Sequence, residues 1–540
     1  MRRPTFEKLC EYDPLVFLAL RPFRRLPDGT MNQLQLFLPC AAGVEDYLQP
    51  EVQRIIGLAG DAVQKRRGGV MATASWRDAL LLNLHSRLAQ RVLVQLSYSQ
   101  YRSEQDLYRA ASEVAWEIWF TPRQSIKVEV TAQHSPLTSL NFAALKIKDA
   151  VCDRFRAKAH GVRPDVNTQW PDIRIYAHLT TDSLSLYIDT SGEPLFKRGW
   201  REDKGDAPLK ETLAAAMIAA SGWADAAVNS EDKNSEDKNS EDKNAGDKSA
   251  GKGGDAGANT DSLPEAQSSS RLSLPPLLPL YDPCCGSGTI AIEAAQIACN
   301  IAPGSLRNFA FEKMLPFQSH VWNAIKNTAT NSIRTRAVTI FGSDVTHRMV
   351  DFSQRNAQRA GVADVIEFRG GDALQRMPPG DSPGVMLLNP PYGERMAVAG
   401  VAGRERIGAM GLGAGTGRGA AKSSHSDANY EENTQDDLQE SRHSDQQAAR
   451  TDGQQQGRFG ARELAHTEDG GEFFNQLATH WKKNYAGWTA WVLTPDLKLP
   501  GKMRLKESRR VPMWNGPIEC RLFKFDMVKG SARDGKAPLR

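Results

Sequence analysis

The chain has 540 residues, with 68 Lys+Arg against 64 Asp+Glu, a formal net charge of +4 and 40% hydrophobic residues. That length has room for about two to four domains. So small a net charge excludes attraction of nucleic acid by a global field, so any such contact must come from local basic clusters. Seven cysteines with no CxxC pair and no Cys/His ligand spacing argue against zinc, iron–sulfur clusters and a disulfide framework. No apolar run reaches the roughly 18 residues of a membrane span, and the Arg-rich start carries Glu7, Glu11 and Asp13, unlike a transit peptide. A cytoplasmic protein without metal or membrane partner is expected.

In chain order, residues 31–200 alternate β-like runs (LQLFLP; IKVEV, 126–130; IRIYAHL, 173–179; SLSLYID, 183–189) with helical ones (WRDALLLNLHSRLAQRV; LNFAALKIKDAVCDRFRAKA), a mixed α+β pattern. Residues 206–222 predict a helix with Asp206 as N-cap, Pro208 in the first turn and Gly222 as its stop. From Ser230 the pentad SEDKN occurs three times in succession, and the polar run continues to about Ser270. A second stretch, about 397–470, is rich in Gly, Gln, Ser and charge. Both lack residues able to pack, so disordered insertions are predicted at about 229–270 and 397–470. Between and after them, LYDPCCGSGTIAIEAAQIA reads as strand, Gly-rich turn and helix. The strands VTIFGSD (338–344), VIEFRGGD (365–372), VMLLN (385–389) and TAWVLTP (489–495) follow in alternation with helices. That is the pattern of a doubly wound α/β sheet.

The chemistry collects at the ends of those strands. In Asp282-Pro283-Cys284-Cys285-Gly286-Ser287-Gly288-Thr289 the glycines let a ligand approach the backbone, while the following helix N-terminus offers free N–H groups. Asp344 closes the next strand, placed to accept both hydroxyls of a ribose, and Asp372 the one after it, placed near an adenine edge. The run LLNPPYGER, 387–395, ends a fourth strand with an amide, two prolines and an aromatic ring. An exocyclic amine on a nucleobase is a poor nucleophile because its lone pair is delocalised into the ring, so an enzyme must align it and accept its hydrogens. Asn389 and the Pro390 carbonyl supply two acceptors. Pro390 and Pro391 stiffen the turn, and Tyr392 offers a face on which a flipped-out base can stack.

DPCCGSGT, GSD, GGD and NPPYGER resemble the cofactor, ribose, adenine and catalytic motifs of class I S-adenosylmethionine-dependent amino-methyltransferases. Upstream, GVEDYL, DLYRAASEVAWEIWF, ALKIKDAVCDRF, PDIRIYAHL, FKRGW and APLKETLAAAMIAASGW resemble the bacterial 23S rRNA guanine-N2-methyltransferase family that carries a THUMP RNA-binding domain. NGPIECRLFKF, 515–525, resembles its closing strands. The resemblance implies a Rossmann-like methyltransferase sheet over 201–540, preceded over 31–200 by a ferredoxin-like and THUMP region, with THUMP at about 75–190. It implies S-adenosyl-L-methionine as cofactor, held by Asp282, Cys284, Gly286, Ser287, Gly288, Thr289, Asp344 and Asp372. Asn389, Pro390, Pro391 and Tyr392 are the implied catalytic set, and 23S rRNA or a large-subunit assembly intermediate the implied partner. Cys284 stands where Phe or Met is usual, and a second methyltransferase domain found in some members is not expected. Because the resemblance begins near Met31, residues 1–30 are read as an extension and Met31 as a candidate start.

Two basic clusters are candidate RNA contacts: Lys146, Lys148, Arg154, Arg156, Lys158 and Arg163, then Lys498, Lys502, Arg504, Lys506, Arg509 and Arg510. Leu209, Lys210 and Glu211 resemble a segment bordering the cofactor. Three other readings compete: a methyltransferase acting on a tRNA guanine or a DNA adenine, a non-catalytic rRNA-binding protein, and a nicotinamide-dependent oxidoreductase using Gly286-x-Gly288-x-x-Ala291.

Overall fold

A computed structural model describes residues 33–58, 60–205, 208–224, 277–335, 338–390 and 470–528. The N-terminal extension, Asp206, both expected insertions (Gly470 apart), Pro391 and Tyr392 lie outside the described residues.

The first sheet is built from β1 (Leu34–Pro39), β2 (Val63–Arg66), β3 (Gly69–Ala74), β4 (Leu93–Gln100), β5 (Ile126–Ala132), β6 (Ile173–Leu179) and β7 (Ser183–Asp189), in the order β2-β3-β1-β4-β7-β6-β5. Its helices are α1 (Glu45–Ile56), α2 (Trp76–His85), α3 (Glu104–Glu113) and α4 (Leu140–Lys158). β6 shows why the sheet packs on one face: Ile173, Ile175, Ala177 and Leu179 are buried while Arg174, Tyr176 and His178 are partly open, the period-2 alternation of a one-sided strand. α2 opens on a capping box in which Ser75 Oγ accepts from Asp78 N–H and Asp78 from Ser75 N–H, while at the start of α3 Asp106 accepts from the N–H groups of Arg102 and Ser103.

The second sheet comprises β8 (Leu280–Asp282), β9 (Ile340–Asp344), β10 (Ile366–Gly370), β11 (Val385–Leu388), β12 (Thr489–Thr494), β13 (Arg509–Asn515) and β14 (Ile518–Asp526), ordered β10-β9-β8-β11-β12-β14-β13. β8 to β12 are mutually parallel, and β14 runs antiparallel to β12. Five helices accompany it: α5 (Glu211–Ser221), α6 (Thr289–Ala298), α7 (Ser319–Asn331), α8 (His347–Arg359) and α9 (Gly470–Asn484), with the short α10 (Leu499–Met503). Strand order reverses between β8 and β11, and such a reversal opens a crevice at the carboxyl ends of a parallel sheet.

α5 begins later than its sequence predicts. Lys210 is extended (ψ 138°) at its N-cap and Glu211 is the first helical residue, so Pro208 precedes the helix. The cause is Arg201, which donates to the Leu209 carbonyl (3.0 Å) and pairs with Glu211 (2.8 Å), holding 209–210 outside the helical turn.

The two sheets share apolar core: one cluster runs from Leu36 and Val94 to Ile290, Leu493 and Met513. At Gly43, φ is +85° and a Cβ would lie 2.2 Å from the Pro512 carbonyl oxygen, so the N-terminal region packs with its backbone directly on β13. Glu293 of α6, fully buried, accepts from Arg198 (3.0 Å) and Arg87 (3.2 Å), a charged pin between the two halves.

Candidate active site

β8 ends at Asp282, and the chain turns through Cys284–Gly288 into α6. The turn is laced to the neighbouring strand: Cys285 N–H donates to the Ser343 carbonyl (2.9 Å), and Gly286 N–H to Asp344 Oδ2 (3.0 Å). Gly288, the N-cap of α6, has φ +86°, and a Cβ there would meet Phe368 Cζ and Ser353 Cβ at 3.1 Å. Only glycine provides both the left-handed backbone and the missing atom. At Gly286, also left-handed at +52°, a Cβ would meet nothing within 4 Å, so the backbone there faces open space where a ligand can approach.

Three carboxylates gather at these strand ends. Asp282, 2% exposed, accepts from Cys284 N–H (3.1 Å). Burial pushes its carboxyl up to about 8, with the Asp344 charge adding to the shift and the Cys284 bond opposing it. Asp344 Oδ1 accepts from Thr346 N–H (2.9 Å) and Asp372 Oδ1 from Leu374 N–H (2.9 Å), each carboxylate thereby fixed by its own turn. Burial and the surrounding carboxylates push the thiols of Cys284 and Cys285 well up. Both are free thiols, and thiols rather than thiolates are the poorly reactive form.

Asn389 follows β11. Met386 pairs in register with Tyr281 of β8, so Asn389 stands beyond the level of Asp282 on the adjacent strand, about 4.8 Å away across the sheet. Its Oδ1 is buried and has no hydrogen-bond partner among the described residues. A buried amide oxygen left unpaired costs about 1–3 kcal/mol, and functional sites are where such a cost is tolerated. Pro390 is described beside it, buried.

Several residues that the sequence did not single out brace this turn from behind. Arg201 donates to Thr289 Oγ1 (2.8 Å) and Ser287 Oγ (3.4 Å) while pairing with Glu211. Asn356 of α8 donates to the Ser287 carbonyl (3.1 Å) and the Asp203 carbonyl (2.8 Å), and Ser353 Oγ to the Gly286 carbonyl (2.8 Å). Arg355 and Arg359 hold the Asp203 carboxyl down to about 2. The only sequence signal was indirect: the FKRGW motif runs straight into Arg201, and Glu211 falls in the segment expected to border the cofactor.

The basic clusters are unevenly presented. Arg154 is held by Glu117 through two bonds (2.7 and 2.6 Å) and donates to the Ser112 carbonyl (2.8 Å), so its charge is used between elements. Lys148 pairs with Asp149 (2.7 Å), Arg156 with Asp153 (2.8 Å) and Lys502 with Asp496 (2.7 Å). Lys146 lies over the Phe142 ring at 5.3 Å. Lys158, Arg163, Arg504 and Lys506 are exposed. Arg509 reaches the Ala220 carbonyl (3.4 Å) and the Tyr47 hydroxyl (3.5 Å), joining the two halves.

Comparison with known proteins agrees with this architecture. Residues 35–93 match the RlmL ferredoxin-like domain, 101–189 the THUMP domain, and 274–403 the RMKL-like methyltransferase domain. The chain carries these three domains in that order. Its methyltransferase domain holds the Gly-rich turn and Asn389, and its THUMP domain contributes β5 to β7. Among curated relatives, the ribosomal RNA large subunit methyltransferase K/L of Psychromonas ingrahamii is 30% identical over 91% of this chain and 50% of its own length. That of Aeromonas hydrophila is 32% identical over 93% of this chain and 56% of its own. The chain thus spans about half the length of the curated relatives it matches. A solved methyltransferase complexed with SAH shares the fold at TM-score 0.62 and 21% identity, covering 92% of this chain and 98% of that one. No helix among the described residues is long and apolar enough to cross a membrane, and none of their His, Cys, Asp and Glu groups could hold a metal ion.

Proposed function

We propose that the chain transfers a methyl group from S-adenosyl-L-methionine to the exocyclic N2 of a guanine in 23S rRNA. The observation that carries the proposal is the buried Oδ1 of Asn389, without a hydrogen-bond partner among the described residues, near a glycine turn open to ligand. The bound cofactor would supply an electrophilic methyl on a sulfonium. The residues present fit such a group: the open face at Gly286 admits an amino-acid moiety near the α6 N-terminus, Asp344 is placed for the ribose hydroxyls, and Asp372 for the adenine edge. Cys284 lines the same turn.

On the substrate side, Asn389 Oδ1 and the Pro390 carbonyl accept the two hydrogens of the base amine. As the amine attacks, positive charge grows on its nitrogen and both acceptors strengthen, an interaction greater in the transition state than in the ground state. By the resemblance of NPPYGER, Tyr392 would offer its ring to the extruded base. The large-subunit rRNA names of the relatives support 23S rRNA or an assembly intermediate as partner, and the THUMP match supports RNA over DNA. A cytoplasmic location follows from that substrate.

Methyl-labelled cofactor offered with 23S rRNA, 16S rRNA, tRNA and duplex DNA, followed by nucleoside separation, tests the proposal. N2-methylguanosine in 23S rRNA is expected. Label in methyladenosine, in tRNA or on DNA would overturn the substrate assignment.

A further inference from the structure

The region matched to THUMP displays a large aromatic residue that the fold leaves mostly uncovered. Trp170 is 63% exposed, and in the same connection between α4 and β6 Val162 and Val166 are exposed at 55% and 46%. These residues do not lie on a loose loop. Asn167 Oδ1 accepts from the N–H groups of Gln169 (3.1 Å) and Trp170 (2.9 Å), and Asn167 N–H donates to the Ile126 carbonyl (3.1 Å). Val166 forms a β-bridge with Ile126, whose N–H donates to the Asp165 carbonyl (2.8 Å). Two residues past Trp170, Asp172 accepts from Ser125 N–H (2.9 Å) and from Lys313 Nζ (2.5 Å). The ring is therefore carried on a turn stitched at both ends to the start of β5.

Arg123 lies two residues before Ser125 and Arg163 two before Asp165, the residues bonded into this turn, and Lys158 ends α4 five residues ahead of Arg163; all three are exposed. None forms an ion pair among the described residues, in contrast to Arg154 and Arg156 of the same region. An exposed indole on a rigid turn flanked by unpaired cations is the chemistry that takes up an unpaired nucleotide: the base stacks on the ring and the arginines meet its phosphates.

We propose that Trp170, with Arg123, Arg163 and Lys158, forms a docking surface for a single-stranded segment of the RNA substrate. The proposal rests on the rRNA reading and adds to it where on the THUMP domain the RNA is held. Lys158 and Arg163 were legible as a basic cluster, whereas Trp170 was not, because only the structure shows that its ring is left uncovered.

The test is filter binding of the full chain to protein-free 23S rRNA over a salt series, with cofactor affinity measured in parallel by calorimetry. Trp170→Ala should weaken RNA binding roughly 5- to 150-fold, the range for loss of one stacked base, and Trp170→Phe should restore most of it. Arg123→Gln with Arg163→Gln should lower the salt slope by about 1.4, near 0.7 for each phosphate contact to a single strand. Cofactor affinity and melting temperature should stay at the wild-type values in every variant. Wild-type RNA affinity in Trp170→Ala and an unchanged slope in the double variant would overturn the docking surface and leave the methyltransferase reading standing. If the unaltered chain fails to bind 23S rRNA, both fall. Loss of melting temperature in Trp170→Ala, with full RNA affinity in Trp170→Phe and an unchanged slope in the double variant, would also overturn it, since the ring would then be structural.

Discussion

Replacing Glu293 with alanine tests whether the charged pin between the two halves holds them in place. The carboxylate is fully buried, and its partner Arg198 is 2% exposed, so neither solvent nor salt screens the pair appreciably. Two charge-assisted bonds disappear, from Arg198 at 3.0 Å and Arg87 at 3.2 Å, each worth about 1.5–3 kcal/mol. The guanidiniums keep their carbonyl bonds to Leu195, Arg87 and Ile301 but lose the carboxylate they both pair with, leaving only the more distant charges of Glu51 and Glu211 among the described residues. Together these give a destabilisation of about 3–5 kcal/mol, the range for breaking a buried pair from one side. Urea unfolding followed by circular dichroism measures it as a shift in midpoint at constant slope. Glu293→Gln, which retains the shape and an acceptor oxygen, should lose about half as much. Replacing all three partners with apolar residues of similar volume should recover most of the stability. A loss below about 1 kcal/mol in Glu293→Ala would show that the pin contributes no more than a surface ion pair and would refute the reasoning.

Asn389→Ala should lower turnover by roughly 10²–10³ with cofactor affinity unchanged; single-turnover methyl transfer beside calorimetry separates the two, and equal turnover would defeat the assigned role. Asp344→Ala removes an anchor of the Gly286 N–H as well as the proposed ribose acceptor, so cofactor affinity should fall by about 1.5–3 kcal/mol; calorimetry giving the wild-type constant would remove Asp344 from the site. Asp282 has a folded-state pKa raised by burial to about 8, so its contribution to stability is complete at acid pH and is lost as pH rises from its unfolded value near 4 through 8. Cofactor-free Asp282→Asn should therefore lose less melting temperature than the wild type between pH 5 and 8, and parallel curves would show the carboxyl to be ionised throughout.

The Gly-rich turn between β8 and α6 could be read from the sequence because it is local: strand, turn and helix start lie within a dozen residues, and glycine marks the backbone required. The strands LQLFLP, IRIYAHL and SLSLYID appear where expected, since a one-sided or fully buried strand advertises itself by its apolar pattern. β2, at the sheet edge with Val63 buried and its other three residues exposed, carries almost no such pattern and was not singled out. Arg201, Asn356 and Asp203 were invisible for another reason. Asn356 meets Asp203 across 153 positions, and Arg201 meets Thr289 across 88. Polar residues at such separations have no periodicity to betray them, and only folding brings them together. The start of α5 moved through a shorter-range bond, from Arg201 to the Leu209 carbonyl eight residues on, which overrode the local preference for Pro208 in a first turn.

The segment that leaves the THUMP domain is also the segment that props the cofactor turn. Within six residues, Arg198 locks onto α6, Arg201 grips Ser287 and Thr289 of the turn, and Asp203 is clamped by α8. The region matched to THUMP and the region matched to the methyltransferase domain are thus joined by a bracket rather than a tether. Chimaeras make the difference practical. A THUMP domain borrowed from a relative and spliced at residue 190 would keep this bracket native, whereas a splice at 205 would import foreign side chains into the floor of the cofactor site. The boundary for exchanging the N-terminal region lies ahead of Arg198, inside what a domain diagram would draw as linker.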